Sequence, residues 1–154
     1  PVYLRFGRPV VPVFIPEDMP FEIGKGILLQ EGTDVTIVAT GHLVWESLLA
    51  ADELEKEGIS CEVINIHTIK PLDEEIILKS VEKTGKIVTA EEHNYLGGLG
   101  ESVAGMLARK RPTIQEFVAV NDTFGESATP AELMKKYKID AAAVKEAVKR
   151  IMKR

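Results

Sequence analysis

Two kinds of segment alternate between residues 35 and 152, and that alternation restricts the fold more than any other property of the chain. Val35-Thr36-Ile37-Val38-Ala39 is a β-branched run ending in Thr40-Gly41, a strand followed by a tight turn. Leu43, Val44, Leu48, Ala51 and Leu54 then recur at three- and four-residue spacing, which predicts an amphipathic helix stopped by Gly58. Residues 61–66 read as a second strand. Asp73, just after Pro71, caps a helix carrying Ile76, Ile77 and Val81 on one face, and Gly85 ends it. A strand over 86–90, a helix over 100–109 and a strand over 114–120 follow. Beyond a polar loop, the spacing predicts helices over 130–137 and 141–152.

Strand–helix–strand repetition with nearly continuous apolar strands predicts a parallel sheet covered by helices on both faces. Right-handed crossovers then make the class α/β: a three-layer α/β/α domain with a mostly parallel, doubly wound sheet of about five strands. Residues 24–29 supply one antiparallel edge strand.

Residues 1–23 differ in kind. Val2-Tyr3-Leu4-Arg5-Phe6 reads as one more strand, and Pro1, Pro9, Pro12, Pro16 and Pro20 within the same stretch give an extended linker rather than a helix. A lone opening strand suggests the tail of a preceding domain. The expected division is therefore 1–23, a residual strand plus linker, and 24–154, the domain proper.

A chain of 154 residues with 45% hydrophobic and 28% charged residues is long enough for one globular core, and disorder is excluded. No apolar run approaches the roughly 18 residues of a membrane span, and no basic-then-apolar leader is visible. The expectation is a soluble, cytoplasmic protein. Residues 1–133 hold 11 Lys and Arg against 22 Asp and Glu, whereas 134–154 hold 8 against 2. An acidic body repels phosphate backbones, so nucleic acid is not expected as a partner. The basic tail reads as a solvated helix with its cations near a C-terminal helix end. The single cysteine, Cys61, makes neither an internal disulfide nor a metal cluster and reads as a buried, inert thiol.

Candidate chemistry gathers after residue 90. Gly97-Gly98-Leu99-Gly100 opens a helix, where glycines let a ligand approach the backbone and the helix N-terminus can hold an anion. Yet six residues separate the glycines from the strand, and Val103 stands where a dinucleotide fingerprint wants its third glycine. Glu101 adds a negative charge in the first turn, so turn geometry is the plainer reading. Glu91-Glu92-His93-Asn94 lies at a strand's C-terminal end, where open α/β sheets place ligands. Acid–base work there competes with a packing or interface role, because adjacent residues of an extended chain point oppositely. His42 and His67 also follow strands, but no ligand spacing links the histidines, and no metal site is expected. Glu92, His93, Gly97, Gly98 and Gly100 stand as a candidate interface or anion loop. Arg5 and Arg8 flank Phe6-Gly7 at the end of the opening strand, where arginine suits a phosphate or carboxylate. No self-contained catalytic set is present.

Several segments together resemble the C-terminal domain of transketolase. They are Asp34 to Gly41, Ala50-Ala51-Asp52-Glu53-Leu54, Ile64 to Asp73, Thr89 to Asn94 with Gly97-Gly98-Leu99-Gly100, and Phe124-Gly125-Glu126-Ser127 with Pro130, Glu132, Leu133 and Tyr137. The likeness spans residues 24–154 and is greatest to transketolases split into separate N- and C-terminal subunits. The same domain type ends deoxyxylulose-phosphate synthase and the beta subunit of 2-oxoacid dehydrogenases, and a stand-alone anion-binding regulatory module is the alternative from another class. The opening strand resembles the last strand of the preceding pyrimidine-binding domain, where an arginine reaches the substrate's phosphate; Arg5, then Arg8, match it. The resemblance implies transfer of a two-carbon ketol unit between ketose and aldose phosphates. It also implies thiamine diphosphate and Mg²⁺ bound by upstream domains absent here, with no cofactor and no catalytic residue in this chain. The implied partners are those upstream domains or their subunit, sugar phosphates for the holoenzyme, and a second copy in a homo-oligomer, with no membrane.

Overall fold

The computed structural model describes residues 1–4 and 10–154. β2 (Val35–Ala39) and β3 (Cys61–Asn65) are buried along their whole lengths, as strands covered on both faces must be. They pair in parallel from Val35↔Cys61 to Ala39↔Asn65. β4 (Lys86–Asn94) lies parallel to β2 on its other side, and β5 (Ile114–Val120) lies parallel to β4 at the sheet's edge. β1 (Ile27–Gln30) closes the opposite edge antiparallel to β3, giving the order β1-β3-β2-β4-β5. One antiparallel strand on an otherwise parallel five-stranded sheet is the predicted arrangement.

Alternate residues of the strands feed two separate apolar layers. Val35, Ile37 and Ala39 pack with Val63, Val88, Val118 and the buried faces of α1 (Leu43–Lys56) and α5 (Ala141–Ile151). Val38, Ile64, Ile66 and Ile87 pack on the other side with α2 (Glu74–Thr84) and α3 (Leu99–Lys110). Both layers are closed by the chain's own helices. The short α4 (Pro130–Tyr137) lies outside the α5 layer, started by a capping box of Thr129 and Glu132. Asp73 caps α2 through Ile76 N and also accepts from Gly26 N at 2.9 Å, tying the approach to β1 to the start of α2. Gly85 ends α2 at φ 68°.

Below the parallel strands a polar knot replaces part of the α2 layer. Thr36 Oγ1 bonds Ser80 Oγ at 2.5 Å and Thr84 Oγ1 at 2.7 Å, and Lys83 donates to the nearly buried Glu62. Burial raises the Glu62 carboxyl, but hydrogen bonds from Lys83, Ser80 and Gly32 N outweigh it and leave the group below the usual carboxylate range.

Several details depart from the sequence reading: β1 runs over Ile27–Gln30 rather than 24–29, α3 over Leu99–Lys110 rather than 100–109, and α5 stops at Ile151. β3 ends at Asn65, although Ile66 N still bonds Ala39 O at 2.8 Å. β4 continues to Asn94 rather than stopping at residue 90, because Asn94 rejoins the ladder opposite Val120 after a register shift. The basic tail is not a free solvated helix. Val144, Ala147, Val148 and Ile151 are buried against α1, and the cations bind the acidic body. Lys145 reaches Glu53 at 2.8 Å and Glu57 at 3.0 Å, and Lys149 reaches Glu57 at 2.6 Å. Pro1–Leu4 carry no regular structure, so the strand expected over 2–6 falls partly outside the described residues.

Candidate functional site

All four parallel strands deliver their C-terminal ends to one side of the sheet, and the histidines and acidic residues singled out above lie there. The geometry separates them. His42 is the first residue of the α1 turn and makes no side-chain cap bond. His67 stacks on Phe21 with ring centroids 4.4 Å apart, its Nδ1 3.0 Å from Thr68 Oγ1. His93 is exposed, and its Nδ1–H donates to Asn94 O at 2.7 Å. His67 and His93 are engaged locally, and no two of the three histidines share a partner.

Among the described residues, the β4–α3 corner is where the named residues converge. Glu91, only 1% exposed, turns inward, and the register shift that follows Ala90 leaves both Glu92 and His93 exposed. Its carboxylate accepts from Leu99 N at 2.7 Å and Gly100 N at 2.8 Å, the first amides of α3. A carboxylate there satisfies two otherwise orphan donors and complements the helix dipole. The glycines make this approach possible. A Cβ on Gly98 would lie 2.1 Å from Glu91 Oε2, and one on Gly100 would lie 2.5 Å from the Phe117 ring. Gly97, at φ 75°, turns the chain, and its N–H donates to Glu101 Oε2 at 2.7 Å. Gln115 Nε2 braces the corner, donating to Gly100 O and Thr89 Oγ1, each at 3.0 Å.

The anion held at the N-terminus of α3 is therefore the chain's own Glu91. An internal carboxylate in that position leaves no room for a phosphate on the same amides. What faces outward is the surface of the corner: Glu92, His93, Leu96 and Gly97, all exposed, with Asn94 Nδ2 donating to Asp122 Oδ1 at 2.9 Å. Sequence reasoning named Glu91 as part of an acid–base set but missed its bond to the glycine turn, and gave Thr89, Gln115 and Phe117 no role at this corner. The inward phase of Glu91 relative to the buried Thr89 was the available signal. Arg5 and Arg8, expected to meet a phosphate, lie outside the described residues. Cys61 is buried, and its thiol is pushed up to about 12 by burial and by Asp34 and Glu55, so it is no nucleophile near neutral pH.

The model for the transketolase C-terminal domain matches residues 24–144. The chain belongs to the transketolase C-terminal domain family. It is 44% identical over 155 aligned residues to a 6-deoxy-6-sulfo-D-fructose transketolase subunit of a Clostridium species, covering 100% of this chain and 48% of that protein. It is 42% identical to a transketolase C-terminal section of Methanocaldococcus jannaschii, covering 99% of this chain and 47% of that protein. A solved split-gene transketolase, described as an inactive beta4 tetramer, superposes with a TM-score of 0.90 at 45% identity, over 93% of this chain and 47% of that one. The chain thus spans about half the length of the relatives it matches.

The transketolase family implies thiamine diphosphate and Mg²⁺ in the holoenzyme, and neither has an evident site among the described residues. No group of three or more His, Cys, Asp or Glu among them is placed to hold a metal ion. The first amides of α3 are taken by the Glu91 carboxylate. No helix among the described residues is long and apolar enough to cross a membrane.

Proposed function

We propose that this chain is the C-terminal, non-catalytic part of a thiamine-diphosphate-dependent transketolase that moves a two-carbon ketol unit between ketose and aldose phosphates in the cytoplasm, as in the pentose phosphate pathway. The observation that carries this reading is the family match taken with its extent: relatives alike across the whole of this chain are about twice as long. Chemistry is assigned to upstream domains or to their subunit, which bind the cofactor and Mg²⁺. On this reading residues 1–23 are the last strand of the pyrimidine-binding domain and its linker, and Arg5, with Arg8 beside it, meets the sugar phosphate. The exposed corner at Glu92, His93 and Gly97, set by Gly98 and Gly100, serves an interface in a homo-oligomer. The Glu91 carboxylate on α3 favours this over a stand-alone anion-binding module.

The test is a titration followed by a reconstitution. Calorimetry with thiamine diphosphate and Mg²⁺ should give no saturable heat with this chain alone. The subunit that contains this chain, mixed with the cofactor-binding subunit, should form ketol-transfer product from a ketose phosphate and an aldose phosphate, and Arg5→Ala should raise KM for the phosphorylated substrate more than it lowers kcat. Saturable cofactor binding to the chain alone, or full ketol transfer by the cofactor-binding subunit without it, would overturn the reading.

A further inference from the structure

β5 ends the sheet, with β4 on one side and no strand on the other among the described residues. Outside its ladder to β4, its backbone accepts from Tyr95 N and Asp122 N at the Val120 carbonyl and from Thr89 Oγ1 at the Glu116 carbonyl, the latter on the β4 side. Edge strands in soluble proteins are ordinarily blunted by lysine, proline, a bulge or brevity. β5 is seven residues, Ile-Gln-Glu-Phe-Val-Ala-Val, with none of these in its sequence. Its single charge, Glu116, is already neutralised by Arg150 at 3.2 Å and Arg154 at 3.1 Å. Open grooves run along both faces of the strand. Tyr95, Ala104, Phe117 and Ala119 line the one beside α3, and Tyr137 and Ala142 stand in the one beside α5. Phe117 is 36% exposed at the strand's midpoint.

We propose that β5 pairs antiparallel with β5 of a second copy of this chain, about a two-fold axis that passes through Phe117 perpendicular to the sheet. The inference deepens the oligomer reading above by naming its surface. A two-fold of this kind keeps each face of the sheet on the same side, so directly opposed residues must belong to the same face and the axis must pass through a residue. Gln115, Phe117 and Ala119 face α3, and Ile114, Glu116, Val118 and Val120 face α5. An axis at Glu116 leaves Ala119 and Val120 without partners within the strand. An axis at Val118 leaves Ile114 and Gln115 without partners. Centred on Phe117, both strands match end to end: the phenyl rings oppose each other, Glu116 opposes Val118, Gln115 opposes Ala119, and Ile114 opposes Val120. Every opposed pair is then aromatic, aliphatic, or polar against aliphatic. No charge opposes a like charge, and the unpaired backbone groups of the edge find partners.

Cysteine cross-linking reads the register directly. Opposed residues in antiparallel pairs hold their Cβ atoms about 4.5–5.5 Å apart, close to the roughly 3.5–4.5 Å of a disulfide. The buried native thiol of Cys61 stays out of the reaction. Phe117→Cys in the 154-residue chain should become a covalent dimer on mild oxidation. Gln115→Cys and Ala119→Cys should do so only when the two variants are mixed. Phe124→Cys, at a site 95% exposed and away from the strand, is the collision control and should remain unlinked. Circular dichroism confirms that each variant is folded. Linking of Phe117→Cys no faster than the control, or of Gln115→Cys by itself, overturns the β5 pairing. Light scattering of the subunit that contains this chain separates the causes: an oligomer with no β5 link leaves the oligomer reading standing, whereas a monomer at every concentration removes both.

Discussion

Gly98→Ala isolates the Glu91 clamp, because the backbone at Gly98 (φ −98°, ψ −159°) is extended and accepts any residue without strain. The whole effect comes from the new Cβ, which would sit 2.1 Å from Glu91 Oε2 and 2.7 Å from Glu91 Cδ. The carboxylate must leave, and with it go the bonds from Leu99 N at 2.7 Å and Gly100 N at 2.8 Å. A hydrogen bond to a charged group contributes about 1.5–3 kcal/mol, and both amides belong to buried residues. The carboxylate can recover some hydration once displaced, so the lower end applies and the expected loss is about 3 kcal/mol. Glu91→Ala removes the same bonds and should cost a similar amount. It also clears the space that the Gly98 Cβ would need, so the double variant should be hardly less stable than Glu91→Ala alone, a coupling of about 3 kcal/mol. Domains of this size have about 5–15 kcal/mol of stability, so all three variants should fold and give urea transitions followed by circular dichroism. A cost below about 1 kcal/mol for Gly98→Ala, or an equal cost with and without Glu91, would refute the clamp.

Three further outcomes follow from the same structure. Asp73→Ala should cost about 1–2 kcal/mol by uncapping α2, and should speed amide exchange at Gly26 and along β1, whereas unchanged exchange there would mean that Asp73 does not anchor the edge strand. Glu62 has its folded pKa held below the ordinary 4.5, so its contribution is fully present above that value and is lost as pH falls through the folded pKa. Glu62→Gln should accordingly flatten the acid limb of the stability profile below 4.5, and an acid limb identical to that of the unmodified chain would contradict this. Cys61 should resist alkylation at pH 8 in the native chain and react in urea at the unfolding midpoint, whereas rapid native labelling would show the thiol to be accessible.

The order and class of elements were legible because each is a local pattern with its own period. Val35–Ala39 cannot present a polar face, Leu43, Val44, Leu48, Ala51 and Leu54 mark a helical stripe, and Asp73 and Gly85 mark the two ends of α2. The antiparallel edge strand β1 was also readable from its position before the first buried strand. At the site, the segment carrying the chemistry was visible as Glu91 to Gly100, but the roles within it were not.

Those roles depend on distances between groups that sequence spacing does not encode. Nothing in the order Glu91…Gly98 says that a carboxylate eight residues upstream will lie within hydrogen-bond reach of the α3 amides, or that a glycine is needed for clearance rather than for a left-handed turn. Gly97 and Gly98 are neighbours with opposite reasons for being glycine, one conformational and one steric. The basic tail shows the same limit. Its composition predicted a solvated helix, but Lys145 and Arg150 of α5 are bound by Glu53 of α1 and Glu116 of β5, 34 residues or more away in the chain. Local periodicity is a property of neighbours along the chain, so the sequence alone determined the α/β class and the register of buried and exposed faces. Which charges meet, which amides are capped and which edge is left open depend on pairs that are remote in sequence, and only tertiary packing brings those pairs together.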